Sequence, residues 1–355
     1  MREPHAFLLE VPMPDSPATG PAPALAPTRR FGVRRRSLLV PLAAALALLA
    51  TGMGTWYALD GGGDLTGPGA PAADSAADVA SVAKSLHLPW PSEGQASVAV
   101  EGVGSLGTRG EQRPVPIASV TKVMTAYVIL KDHPMRAGSP GAAVAADEQA
   151  ANESYSSVET TAPVLAGRTY TQRRLLELMM VPSGNNIARL LARWGAGGEK
   201  EFVAKMNETA AALGMADTTY TGVSGMEAST KSTATDQLKL ARAAMKDPAF
   251  REIVATRTVE APGADVTFRN TNKLLGRDGV IGLKTGSSTP AGGNLVWAVT
   301  QEVAGTPRLI LGVVLHQRAG TSPTEGSAAA HEASRALIAE IRATLPGALV
   351  RTPRG

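Results

Sequence analysis

A chain of 355 residues that is 44% hydrophobic can bury one large domain or two modest ones. It has no cysteine, which excludes disulfides, thiolate metal sites, a cysteine nucleophile and a lipid-modified N-terminal cysteine. Its histidines (His5, His87, His133, His316 and His331) lack ligand spacing, so no metal or cofactor is expected, and residues 1–37 carry +3 of the net charge of +4, so no nucleic-acid partner is indicated.

Residues 1–36 are rich in Pro and Ala, lack hydrophobic periodicity and end in the clusters Arg29-Arg30 and Arg34-Arg35-Arg36. They read as a disordered basic tail. Ser37 to Leu59 contains no charged residue. At roughly 1.5 Å per residue it reaches about 34 Å, enough to cross a bilayer core. The arginines before it put the N-terminus in the cytoplasm and the bulk of the chain outside. The alternative is a signal segment that is cleaved, leaving a secreted protein. Residues 60–81, dominated by Gly, Ala, Pro and Asp, read as a flexible linker.

The folded domain is expected over 82–345, with 346–355 a tail. Ala96–Val100 alternates as a strand. Ile117–Lys131 reads as a helix between Pro116 and Pro134. Helical patterns follow at Thr171–Leu178, Asn185–Trp194, Glu199–Leu213 and Thr235–Lys246. Val280–Lys284, Asn294–Thr300 and Leu309–Leu315 read as strands, and Ala328–Thr344 as a last helix. Strands at both ends and helices between predict an α+β fold, a mainly antiparallel sheet flanked by helices with an inserted helical subdomain.

Three short motifs carry chemistry. In Ser119-Val-Thr-Lys122 the serine opens a helix and the lysine shares its face. A serine hydroxyl needs a base, and Lys122 serves if burial and a second cation lower its pKa, with Lys284 the candidate cation. A second Ser-x-x-Lys at Ser81–Lys84 lies in the linker and shows that the pattern alone says little. In Ser183-Gly184-Asn185 the serine is either a helix N-cap or a proton relay, and the Asn185 amide suits a substrate carbonyl. Lys284-Thr285-Gly286 ends a strand; it is either a plain turn or a carboxylate anchor in which Gly286 lets a substrate backbone come close. The N–H groups of Ser119 and Ser287 are then natural oxyanion donors.

The segments Ile117-Ala-Ser-Val-Thr-Lys-Val-Met-Thr-Ala126 and Leu175-Leu-Glu-Leu-Met-Met-Val-Pro-Ser-Gly-Asn-Asn186 resemble the nucleophile helix and second element of the low-molecular-mass penicillin-binding proteins, the serine-type D-alanyl-D-alanine carboxypeptidases. Met206-Asn207, Leu213-Gly-Met215, Thr218, Ser232-Thr-Ala-Thr-Asp236 and Asn270-Thr-Asn-Lys-Leu-Leu275 extend the resemblance, which covers about residues 95–318. The motif spacings of 64 and 101 residues also fit. The resemblance implies a β-lactamase/transpeptidase-like fold. It implies that Ser119, helped by Lys122, attacks the D-Ala-D-Ala bond of a peptidoglycan stem pentapeptide. An acyl-enzyme then forms, and β-lactams acylate the same serine. Ser183, Asn185, Lys284 and Thr285 would position substrate and protons.

Three segments depart from the family pattern: Asn186 stands where Asp is common, Tyr220–Met226 is looser, and Ser288-Thr289-Pro290 replaces an aromatic-bearing stretch. Alternatives are a D,D-transpeptidase, a β-lactamase and an inactive wall-binding module. Residues 190–283 lack the Glu-x-x-x-Asn that a β-lactamase would use for rapid deacylation.

Overall fold

The computed structural model describes residues 76–303 and 305–351. The basic tail, the apolar span 37–59 and most of the expected linker lie outside them. No helix among the described residues is long and apolar enough to cross a membrane.

The elements run in order as α1 (Ala76–Ser85), β1 (Gln95–Val100), β2 (Gly104–Arg109) and β3 (Val115–Pro116). A 3-10 turn over Ala118–Thr121 leads into α2 (Lys122–Asp132). Then come β4 (Ala143–Ala145), α3 (Glu148–Glu153), β5 (Thr169–Thr171), α4 (Gln172–Met180), α5 (Asn185–Ala196) and α6 (Glu199–Ala212). They are followed by β6 (Lys231–Ser232), α7 (Ala234–Ala244), α8 (Pro248–Ala255), β7 (Thr258–Ala261) and β8 (Val266–Arg269). The chain closes with β9 (Val280–Ser288), β10 (Gly292–Val303), β11 (Thr306–Gln317) and α9 (Pro323–Arg351).

The main sheet has the order β2-β1-β11-β10-β9 and every pairing is antiparallel. The expected α+β architecture is present, with the block from α2 to α8 inserted between β2 and β9. Successive strand residues face opposite sides, and the two faces build two cores. Val296, Ala298, Leu311 and Val313 join α2, α4, α5 and α7 in one. Leu295, Trp297, Val299, Ile310 and Val314 join Leu337, Ile338, Ile341 and Leu345 of α9 in the other. Trp297 sits opposite Gly312, where a Cβ would come within 2.0 Å of the indole ring, so glycine is required there.

Two expected boundaries are corrected. Of the linker expected over 60–81, residues 76–81 are helical and belong to α1. Val82 of α1 and Leu86 just beyond its end are buried in the α9-side core. Residues 346–351 of the tail expected over 346–355 are instead the last turns of α9. Pro346 lies inside that helix, and Leu345 and Ala348 remain buried.

Candidate active site

The helix expected over Ile117–Lys131 is two elements. Ala118 takes a left-handed φ of +46°, and the 3-10 turn carries Ser119 before α2 starts at Lys122. In a 3-10 turn, side chains three residues apart eclipse one another. Ser119 and Lys122 are therefore superposed along the turn, and Lys122 Nζ lies 2.9 Å from Ser119 Oγ. Lys122 is fully buried while Ser119 is partly exposed, so the hydroxyl faces the outside and the amine the interior.

Two further atoms close around the amine. Asn185 Oδ1 lies at 2.6 Å and the Ser224 backbone oxygen at 2.8 Å. Ser224 belongs to the departing stretch 220–226, which is tied down on both sides. Asn207 exchanges two hydrogen bonds with the Tyr220 backbone, and Thr125 of α2 donates to Val223 O at 2.6 Å. The looser sequence there still makes a fixed wall.

Burial, the Lys284 cation and Arg189 hold the Lys122 ammonium well below the usual lysine range, with Glu159 and Glu227 opposing them. Lys284 is itself buried on β9 and donates to the Thr285 carbonyl at 2.9 Å. Burial lowers its pKa to about 7. Thr285 Oγ1 pairs with Thr271 Oγ1 at 2.7 Å, and Thr271 N–H donates to Val181 O. The third motif is thus tied to the chain just before the second.

β9 is an edge strand, and its free side lies against the 3-10 turn. A Cβ on Gly286 would fall 2.8 Å from Ile117 O and Val120 N and 2.9 Å from Ser119 N. Only glycine lets strand and turn approach this closely. Ser287, the next residue, is exposed at the strand's end.

Ser183 does not cap α5; the N-cap position belongs to Gly184, and no side chain caps it. Ser183 instead holds a left-handed φ of +72°, is 7% exposed, and its Oγ has no hydrogen-bond partner. That conformation is uncommon for a serine and marks Ser183 as a candidate functional position. Asn186, the second departure, is buried. Its Oδ1 accepts from Ala162 N–H, and its Nδ2 donates to Ala150 O, Ser154 Oγ and Ala162 O. An aspartate there would have no N–H for the two carbonyls.

The structure brings Ser119, Lys122, Asn185 and Lys284 together. Motif reading did not find Ser224, which contributes only a backbone oxygen, nor Glu159 and Arg189. Glu159 Oε2 accepts from Asn185 Nδ2 at 2.8 Å and is held by Arg189. The signal for Arg189 was its place one helical turn after Asn185; Glu159 sits in a loop with no pattern around it.

The sequence profile of the D-alanyl-D-alanine carboxypeptidases matches residues 104–318. This chain belongs to that family. It is therefore a serine peptidase. It is similar to the D-alanyl-D-alanine carboxypeptidase DacB2 of Mycobacterium tuberculosis, 35% identical over 59% of this chain and 69% of the relative. The D-alanyl-D-alanine carboxypeptidase of Streptomyces sp. strain K15 is 34% identical over 52% of this chain and 67% of its own. The crystal structure of the Streptomyces K15 DD-transpeptidase superposes with a TM-score of 0.60 at 30% identity, covering 71% of this chain and all of that one. The family's β-lactamase/transpeptidase-like fold is the one described above.

Proposed function

We propose that the chain is a serine D-Ala-D-Ala carboxypeptidase in which Ser119 is the nucleophile and Lys122 its base. The observation that carries this reading is the set of partners around Lys122 Nζ. Asn185 Oδ1 and Ser224 O can only accept hydrogen bonds. A neutral amine has two N–H groups for them and one lone pair left, and Ser119 Oγ is the one partner able to donate into it.

The Ser119 proton passes to Lys122 as Oγ attacks the carbonyl of the penultimate D-Ala. Charge on the carbonyl oxygen is met by the N–H groups of Ser119 and Ser287. Ser183, with its unpaired hydroxyl, relays a proton to the departing D-Ala amine. The C–N bond breaks and an acyl-Ser119 ester remains. Water then adds to the ester and regenerates the hydroxyl. Lys284 and Thr285 hold the terminal carboxylate, and the free N–H of Asn185 Nδ2 serves the substrate carbonyl. A β-lactam follows the same path but keeps its leaving group tethered.

Residues 37–59 anchor the enzyme, so that the catalytic domain works outside the membrane where stem peptides are. A mature N-terminus beyond Gly54 in the membrane fraction would replace the anchor by a cleaved signal.

Transfer of the acyl group to an amine instead of water is the second reading, favoured by the resemblance to the Streptomyces K15 DD-transpeptidase structure. Incubation with a stem pentapeptide separates the two. Free D-Ala with a tetrapeptide supports the carboxypeptidase; a cross-linked product overturns it in favour of transfer.

A further inference from the structure

The Asn185 amide is held at both ends. Its oxygen faces Lys122 Nζ at 2.6 Å and its nitrogen faces Glu159 Oε2 at 2.8 Å. Glu159 in turn is gripped by Arg189, with Nη2 at 2.7 Å from Oε1 and Nη1 at 3.2 Å from Oε2. Arg189 Nε reaches Glu153 Oε2 at 2.8 Å. The Glu159 and Arg189 side chains are only 14% and 15% exposed, so this ion pair is largely out of solvent.

An asparagine amide has two orientations that fill the same space. In the one observed, Lys122 donates to it. In the flipped one, the Asn185 NH₂ would point at Lys122 and donate into the amine's lone pair. That lone pair has to receive the Ser119 proton, so the flipped amide competes directly with the nucleophile. A carboxylate accepts only. Glu159 therefore bonds to the observed orientation and repels the flipped one. A loop-to-helix tie alone would need Arg189 and Glu159 but not the contact to Asn185.

We propose that Glu159 is a positioning residue: it locks the Asn185 amide with its oxygen toward Lys122 and so reserves the Lys122 lone pair for Ser119. Arg189 fixes the carboxylate and balances its charge. This rests on Lys122 being the base. The charged groups bearing on Lys122 are Lys284 from β9, Arg189 from α5, Glu159 from the loop between α3 and β5 and Glu227 from the loop after Ser224. Within this set Glu159 favours the ammonium and Arg189 disfavours it. Burial pushes the Glu159 carboxyl up, but Arg189 and Asn185 outweigh it and hold it below the usual range, so it stays charged.

The test is the rate of Ser119 acylation by a fluorescent penicillin across pH, in the full chain. Glu159→Gln is isosteric, keeps a hydrogen-bonding side chain and loses the charge. Its plateau rate falls roughly tenfold through the misplaced amide while penicillin affinity holds. Its acid limb moves to lower pH by about half a unit or more, because the group favouring the Lys122 ammonium is gone. Arg189→Gln moves the acid limb the opposite way, since Glu159 is left uncompensated. The double variant returns it toward wild type. Thermal melting of each variant identifies any that do not fold, and Glu159→Gln alone then decides. Limbs that stay in place in a folded variant, or that move the same way in both, overturn the proposal. Wild-type protein that is not acylated at Ser119 sinks the assignment of Ser119 and Lys122, and this proposal with it.

Discussion

Two stretches of this chain read Ser-Val-x-Lys, Ser81–Lys84 and Ser119–Lys122, and they have opposite fates. The first lies on α1, where Ser81 and Lys84 are exposed and Val82 is the residue turned to the core. The second lies across a 3-10 turn and the start of α2, with the lysine fully buried against the serine. The sequence between serine and lysine is nearly the same, so it is not the cause. What makes the second pair chemical comes from far along the chain. Asn185 and Ser224 supply acceptors, Lys284 supplies a second cation, and Gly286 presses β9 onto the turn.

The largest test of this contrast exchanges the serines for alanine. Ser119→Ala abolishes labelling by fluorescent penicillin, and Ser81→Ala labels as wild type. Labelling that survives the first change would remove Ser119 as nucleophile. Next, Lys122→Met keeps the buried stem and removes the proposed base, so acylation is expected to drop about 10³-fold, within the range for losing a general base. Lys84→Met changes nothing measurable. A Lys122→Met rate within tenfold of wild type would show that the proton goes elsewhere.

Gly286→Ala places a methyl against the backbone of Ile117, Ser119 and Val120. The strand must back away from the turn, and a displacement of about 1 Å costs roughly 100-fold in acylation. An alanine enzyme of normal rate would mean that the close approach has no bearing on the chemistry.

The pH profile probes the second cation. With its pKa at about 7, Lys284 is charged below that value and neutral above it. As the proposed anchor it would hold a carboxylate only when charged, so the rate at low concentration of a carboxylate-bearing substrate is expected to fall as pH rises through about 7, up to tenfold per unit. Lys284→Arg stays charged throughout and loses this limb. A wild-type profile flat on the alkaline side would rule Lys284 out as the anchor. The smallest effect is on stability. Ser81→Ala and Lys84→Ala, exposed on α1, shift it by less than about 0.5 kcal/mol, read by thermal melting.

The long elements were legible because the helices repeat their apolar residues with the right period and the long strands are apolar or β-branched runs. Leu295–Val299 is apolar throughout, as a strand buried on both faces requires, and its two faces belong to the two cores. The paired short strands β4–β5 and β7–β8 were not legible, since three or four residues carry no period. α1 was hidden by the Ala-rich composition it shares with the linker, and the end of α9 by Pro346. At the site, side chains with a motif around them were found. The Ser224 oxygen was not, because a backbone carbonyl has no residue signature. The 3-10 geometry at Ser119 was read as plain helix, although it is this tighter winding that eclipses the serine and the lysine.

The sheet joins the two ends of the domain. β1 lies between β2 and β11, and Gln95 pairs with Leu315. Among the described strands, the first one made therefore waits for the last before it has a neighbour on that side. The edge strand carrying Lys284 is attached through β10 to the same late strand. A chain interrupted short of β11 has the β1–β2 pair and the β9–β10 pair but no strand to join them into one sheet. Pairings this distant fold slowly, because loop closure comes before any gain. The surroundings of Ser119 are therefore completed late, when β11 joins the strand that carries Lys284 to the strand that opened the sheet.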